Sequence, residues 1–259
     1  MGILNVTPDS FSDGGKYDVT EDAVQQALTM VAQGAEIIDI GGESTRPGAQ
    51  PVSLDEELRR TIPVIELLRS QWDGAISIDT SKPEVARAAL EAGANIVNDV
   101  TGLTDPEMVL VCRDAGAGIV AMHMQGSPET MQDSPEYGNV IEEVAAFFQD
   151  QYEMLTVAGI NPETICFDPG IGFGKSLEHN LSLIKGVDQL VVAERPLLVG
   201  LSRKSFISKL IDTPELEHRE WPTVALTSLS RRLGAQVHRV HQVKENHDAI
   251  RMAEAIMQA

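Results

Sequence analysis

Residues 75–98, Ala75-Ile-Ser-Ile-Asp-Thr-Ser-Lys-Pro-Glu-Val-Ala-Arg-Ala-Ala-Leu-Glu-Ala-Gly-Ala-Asn-Ile-Val-Asn98, hold one complete strand–helix–strand unit. In residues 75–79, Ile76 and Ile78 share one face, while Ser77 and Asp79 share the other. Ser81 and Glu84 have the spacing of a capping box, so a helix is expected over 83–92. Gly93 suits the left-handed residue that closes it, and residues 94–98 read as the next strand. Two strands separated by a helix of this length belong to a parallel sheet.

The unit recurs along the whole chain. Strand patterns fall at 1–5, 36–40, 75–79, 94–98, 118–122, 164–168, 196–201 and 236–241. Helical patterns fall between and after them, at 21–33, 54–70, 83–92, 106–115, 139–158, 177–184, 223–233 and 245–257. Ser53 with Glu56 marks a second helix start, and Gly34, Gly116, Gly159 and Gly234 mark further helix ends. Eight such units predict an α/β fold, a closed (β/α)8 TIM barrel, as a single domain over 1–259. A doubly wound open sheet is the alternative. No G-x-G-x-x-G opens a helix after the first strand, so a dinucleotide fold lacks its signature.

Composition narrows the class of function. Lys plus Arg is 20 and Asp plus Glu is 39, a formal charge of −19. No nucleic-acid partner is expected, because phosphate backbones need a basic face. An anionic substrate must be held by a few local cations. Cys112 and Cys166 are far apart and form no C-x-x-C, which predicts buried thiols in a reducing, cytoplasmic setting. The N-terminus shows no basic-then-apolar signal pattern, and no apolar run reaches the ~18 residues of a membrane span. Residues 1–6 already read as a strand, which leaves room for a short leader ahead of them.

In a barrel of this kind the active site lies at the C-terminal ends of the strands. Here those ends carry Asn5, Asp39, Asp79, Asn98, His123, Asp168, the Ser202-Arg-Lys204 turn, and Arg239 with His241. One polar strand end is ordinarily a cap or turn former. Polar groups at nearly every strand end converge on one rim. Alternation turns Asp79 and Asp168 into the barrel mouth. His238 and His241 are three apart on opposite faces, which argues against a strand-borne His–His metal site. His238 points toward the helices, where an aliphatic residue is expected. The loop Asp168-Pro-Gly-Ile-Gly-Phe-Gly-Lys175 is not a Walker A motif, since Pro169 stands where its first glycine is required. The loop Gly41-Gly-Glu-Ser-Thr-Arg-Pro-Gly48 carries a single cation, Arg46.

These residues, taken in order, resemble the dihydropteroate synthase family. Asn5-Val-Thr-Pro-Asp-Ser-Phe-Ser-Asp-Gly-Gly15 is similar to the family's first signature and residues 41–48 to its second. Ile78-Asp-Thr80, Asn98-Asp-Val100, residues 168–175, Ser202-Arg-Lys-Ser205 and Arg239-Val-His241 follow in the family's order. The resemblance spans essentially the whole chain. It implies condensation of 6-hydroxymethyl-7,8-dihydropterin pyrophosphate with p-aminobenzoate, giving 7,8-dihydropteroate and pyrophosphate.

Position by position, the resemblance implies a pterin pocket of Asp79, Asn98, Asp168, Lys204 and Arg239. Asn5, Arg239 and His241 are expected to hold the pyrophosphate, with Asn5 on a Mg2+ ion that arrives with it. Phe11, Thr45, Arg46, Pro47, Phe173 and Ser205 are expected around p-aminobenzoate. Asp13, Lys204, Arg239 and His241 are the expected catalytic residues. A homodimer built on the last helices, no membrane partner and sulfonamide sensitivity are further implications. Gln242, where the family commonly has an acid, and residues 221–227 depart from the family pattern. The alternative is a methyltetrahydrofolate-binding barrel serving a corrinoid partner, which would not need Thr45-Arg-Pro47 or residues 202–205. A non-catalytic barrel scaffold is a third reading.

Overall fold

The structure is a computed structural model that describes residues 1–7, 16–45, 49–126, 130, 131 and 133–259. Its first half runs β1 Gly2–Asn5, α1 Lys16–Ala32, β2 Ile37–Gly41, α2 Leu54–Arg69, β3 Ala75–Asp79, α3 Pro83–Glu91, β4 Ile96–Asp99 and α4 Pro106–Ala115. Its second half runs β5 Gly118–Met122, α5 Val140–Val157, β6 Ile165–Asp168, α6 Leu177–Lys185, β7 Leu198–Val199, α7 Ser205–Ile211, α8 Glu220–Arg232, β8 Val237–His238 and α9 Val243–Met257.

β1 to β6 form one sheet in sequence order, with every neighbouring pair parallel. β7 and β8 pair with each other. Single bridges, Phe167 to Leu197 and Gly2 to Val240, join the two pieces. The Phe167 N–H donates to Pro196 O, and Ile3 N–H to Val240 O, both at 3.0 Å. Among the described residues the sheet is thus a closed cylinder of eight parallel strands, with no free edge. This is the expected (β/α)8 barrel.

The alternation read from the sequence explains the packing. Ile38, Ile40, Ile76, Ile78, Val97, Ile119, Ile165 and Phe167 join one core with Val64, Ile65 and Leu68 of α2 and Val85 and Ala89 of α3. Phe167 stacks on Phe148 of α5 at 4.6 Å between ring centroids. Burying each such side chain contributes roughly 1.5–3 kcal/mol. Gly93 closes α3 at φ +113°, where a Cβ would lie 2.9 Å from Arg69 Cγ.

Three local expectations need correction. The Ser81–Glu84 capping box does not form: α3 starts after Lys82, with Pro83 in its first turn and no side-chain cap. The last two strands form a regular ladder over only two residues each, their remaining pairing being the isolated bonds. A short helix, α7, lies where the sequence reading ran directly toward the helix at 223–233. His238 does face the helices, where its Nε2 lies 3.1 Å from Ser230 Oγ of α8. Burial lowers its imidazole to about 4, so it packs as a neutral ring.

Candidate active site

A cleft of about 610 Å³ opens at the C-terminal ends of the strands. Asn5, Asp79 and Asp168 at the ends of their strands, and Asn98 one residue before the end of β4, line it, as do Arg239 and His241 beyond β8. Phe173, Lys204, Ser205 and Thr45 line it from the loops.

One guanidinium organises the floor. Arg239 Nε donates to Asp39 Oδ2 at 2.5 Å, and its terminal nitrogen donates to Asp79 Oδ2 at 2.6 Å. Asn98 Nδ2 donates to the same Asp39 oxygen at 3.2 Å. Asp39 thereby orients both Arg239 and Asn98 without lining the cleft. Burial alone would lower the Arg239 pKa, but Asp39 and Asp79 outweigh it and raise it above the usual value. Two buried carboxylates share this one cation. Burial, against the pull of Arg239 and with the repulsion of Asp39, pushes Asp79 up to about 7. The second oxygens of Asp39 and Asp79 are buried without a hydrogen-bond partner.

The loop after β6 builds the opposite wall. Asp168 Oδ1 accepts the Gly170 N–H at 2.8 Å, and burial raises this carboxyl's pKa despite that bond and the nearby Lys204, Lys175 and Arg239. Gly170 has φ +64°, and a Cβ there would lie 2.0 Å from His123 O. Only glycine lets the loop turn this tightly against the end of β5. Lys204 Nζ sits 4.0 Å above the Phe173 ring.

Beneath this wall Lys175 is buried. Its ammonium lies 2.9 Å from Phe173 O, 3.2 Å from His123 O and 3.1 Å from His123 Nδ1. Burial, partly offset by Asp168, lowers Lys175 to about 7. On the last side of the cleft Ser202 Oγ lies 2.9 Å from His241 Nδ1 and accepts the His241 N–H at 3.2 Å.

Of the residues singled out in the sequence, the structure gathers Asn5, Thr45, Asp79, Asn98, Asp168, Phe173, Lys204, Ser205, Arg239 and His241 around this one cleft. Phe11, Asp13, Arg46 and Pro47 lie outside the described residues. The sequence names Asp39 and Ser202 among the polar strand ends, without a role, and assigns neither them nor Lys175 to the site. The positioning role of Asp39 comes from its contacts with Arg239 and Asn98. The Lys175 ammonium had no signal in the sequence, because its loop reads as an exposed turn.

Taken together, buried carboxylates and an amide form the floor and cations form one side. Such a cleft suits a flat, hydrogen-bonding heterocycle joined to an anionic group. Comparison with known proteins agrees. The model of the pterin binding enzyme family matches residues 1–241. The dihydropteroate synthase of Synechocystis sp. is 49% identical over 99% of this chain and 89% of its own length. The Yersinia pestis dihydropteroate synthase, solved as a sulfonamide drug complex, superposes with a TM-score of 0.94 at 45% identity, covering 100% of this chain and 94% of that one. The Xanthomonas albilineans dihydropteroate synthase with 4-aminobenzoic acid gives a TM-score of 0.94 at 43% identity, covering 100% and 93%.

Proposed function

The chain belongs to the pterin-binding enzyme family, among the dihydropteroate synthases, and from that premise we propose how its cleft works. The enzyme is a transferase that joins 6-hydroxymethyl-7,8-dihydropterin pyrophosphate to p-aminobenzoate. The observation that carries the residue assignment is the convergence of Asp79, Asn98, Asp168, Lys204, Arg239 and His241 on one cleft.

The Asp168 carboxylate accepts two neighbouring N–H groups of the pterin edge. Each such charge-assisted bond is worth about 1.5–3 kcal/mol. Asn98 and Asp79 complete the hydrogen bonding, and Lys204 fixes the ring from the Phe173 side. Arg239 stacks on the ring and, with His241 and Asn5, holds the pyrophosphate. The methylene C–O bond breaks and its electron pair leaves with the pyrophosphate, whose developing charge Arg239 and His241 offset. The p-aminobenzoate amine then forms the new C–N bond and loses a proton. Asp13 is assigned to the cation or to that proton. Phe11, Thr45, Arg46, Pro47, Phe173 and Ser205 surround p-aminobenzoate, with Ser205 toward its carboxylate.

Among the described residues no group of three or more His, Cys, Asp or Glu is arranged to hold a metal. The neutral amide oxygen of Asn5 in the cleft fits a single ligand to Mg2+, a cation that keeps most of its shell in water and phosphate oxygens. When bound with the pyrophosphate, that ion supplies further positive charge at the leaving group.

Pyrophosphate release from the pterin substrate with Mg2+, measured with and without p-aminobenzoate, tests the reaction. Release that rises with p-aminobenzoate, with dihydropteroate formed, is expected. Dihydropterin binding without release would overturn it in favour of a pterin carrier. Sulfonamides are expected to raise the apparent KM for p-aminobenzoate; unchanged turnover at large sulfonamide excess would contradict the assigned p-aminobenzoate site.

A homodimer through α8 and α9 is supported by Leu229, Met252, Ile256 and Met257, which are large apolar residues left exposed there. Sedimentation showing a monomer at micromolar concentration would remove it. A cytoplasmic location is supported by Cys112 and Cys166, which are free thiols that burial pushes up to about 12. Among the described residues no helix is long and apolar enough to cross a membrane.

A further inference from the structure

We propose that Arg203 is a positioning residue: the first turn of α8 locks its backbone in a left-handed conformation, and this sets the spacing between the Ser202–His241 pair and Lys204. The inference rests on the reaction assigned above.

Arg203 has φ +60°, a conformation that residues with a Cβ rarely adopt. Glycine would adopt it without strain. The structure instead holds an arginine there by three contacts from one segment. The Arg203 N–H donates to Thr223 Oγ1 at 3.3 Å. The Arg203 carbonyl accepts from Arg219 at 3.0 Å. The Arg203 guanidinium pairs with the Glu220 carboxylate. The three partners are themselves tied together. Thr223 is fully buried, and its hydroxyl donates to Arg219 O at 2.7 Å. The other terminal nitrogen of Arg219 donates to Pro214 O at 2.7 Å, beyond the far end of α7. Both peptide groups of Arg203 and its side chain are therefore fixed from Arg219 and the first turn of α8 that follows it. An unusual backbone conformation persists only where its surroundings over-determine it, and such sites cluster where function needs them.

What the turn separates gives the purpose. Ser202, on one side, holds His241 at 2.9 Å. Lys204, on the other, lies over Phe173 at 4.0 Å. The first pair belongs to the pyrophosphate end of the substrate and Lys204 to the pterin end. A ligand that spans both subsites gains affinity only when their separation matches its own. The separate pieces do not sense that separation.

The test uses Arg203→Gly, which keeps the left-handed turn accessible but unlocked, and Glu220→Gln, which removes the ion pair from outside the turn. Calorimetry with Mg2+ gives Kd for dihydropterin pyrophosphate, for 6-hydroxymethyl-7,8-dihydropterin alone and for inorganic pyrophosphate alone. Both variants are expected to bind the spanning substrate at least about tenfold more weakly, and to bind each piece within about twofold of the parent. Arg203→Gly is expected to melt at or above the parent temperature, since the strain is gone. Equal losses for pieces and whole, or a clear drop in melting temperature, would make the contacts merely structural and overturn the proposal. Unchanged binding of all three ligands would overturn it as well. A parent enzyme that binds neither piece would defeat the assigned reaction, and the positioning role with it.

Discussion

β1 to β6 pair with their neighbours over three to five residues, whereas β7 and β8 share two and join the cylinder through single bridges. The two parts furnish the cleft with opposite chemistry. The continuous part contributes Asn5, Glu43, Asp79, Asn98 and Asp168. Every Lys, Arg and His among the described lining residues, Arg203, Lys204, Arg219, Arg239 and His241, comes from the closing part. A chain of net charge −19 therefore gathers nitrogen donors where a multiply anionic group must sit, while the Arg203 guanidinium itself is taken up by Glu220. Hydrogen-bond geometry for a flat ring is set on the rigid ladder. Charge for the leaving group is set on the segment that closes the barrel and is braced by side chains.

The sharpest way to break this division is to remove the carboxylate of the continuous part. Asp168→Asn should lower kcat/KM by about 10²–10⁴, the loss of two charge-assisted bonds. Its melting temperature should not fall, because a buried charge is removed and the Gly170 contact can be kept. Steady-state kinetics with thermal denaturation reads both.

Arg239→Ala should reach across the division. It leaves Asp39 and Asp79 buried without their cation, which is expected to destabilise the fold by about 3–5 kcal/mol at pH 7 and above. The sign follows from the raised Asp79 pKa. A folded-state value above the unfolded one favours the folded state at low pH, and that advantage is lost as pH rises through about 7. The deficit of Arg239→Ala should therefore be greatest above pH 7, where the parent's Asp79 is ionised, and level off below it, where Asp79 is protonated in both proteins. As cleft residues expected from the sequence, Lys204 and Arg239 would each be predicted to cost activity far more than stability on substitution by alanine. The ion pairs of Arg239 with Asp39 and Asp79 withdraw that expectation for Arg239. Denaturant melts of both variants between pH 4 and 8 decide it.

A further pH-dependent effect is at Lys175. Its folded value near 7 lies below the usual lysine value, so the unfolded chain binds more protons between about 7 and 10. Stability of the parent relative to Lys175→Met should thus rise with pH across that window, and a flat difference would remove the shift.

The fold was legible because its evidence is periodic and local. Ile76 and Ile78 against Ser77 and Asp79 fixed a face, and glycines such as Gly93 marked helix ends. The convergence of Asp79, Asn98, Asp168 and Arg239 was legible for the same reason, since each lies at or next to the C-terminal end of a strand. What escaped depends on distant partners or short segments. The Ser81–Glu84 box lost to Lys82, which pairs with Glu43 and Glu57 from other elements. The helix α7 spans seven residues, too few for a periodic signal, with only Phe206 and Ile207 buried. The left-handed Arg203 gave no glycine to announce it, because its conformation is imposed by α8.

The division of labour is tested most directly by binding the two halves of the substrate to two variants, Asp168→Asn and His241→Ala, in the presence of Mg2+. Asp168→Asn should lose 6-hydroxymethyl-7,8-dihydropterin and retain inorganic pyrophosphate, while His241→Ala should do the reverse. Equal loss of both ligands in both variants, or full dihydropterin binding by Asp168→Asn, would contradict the account.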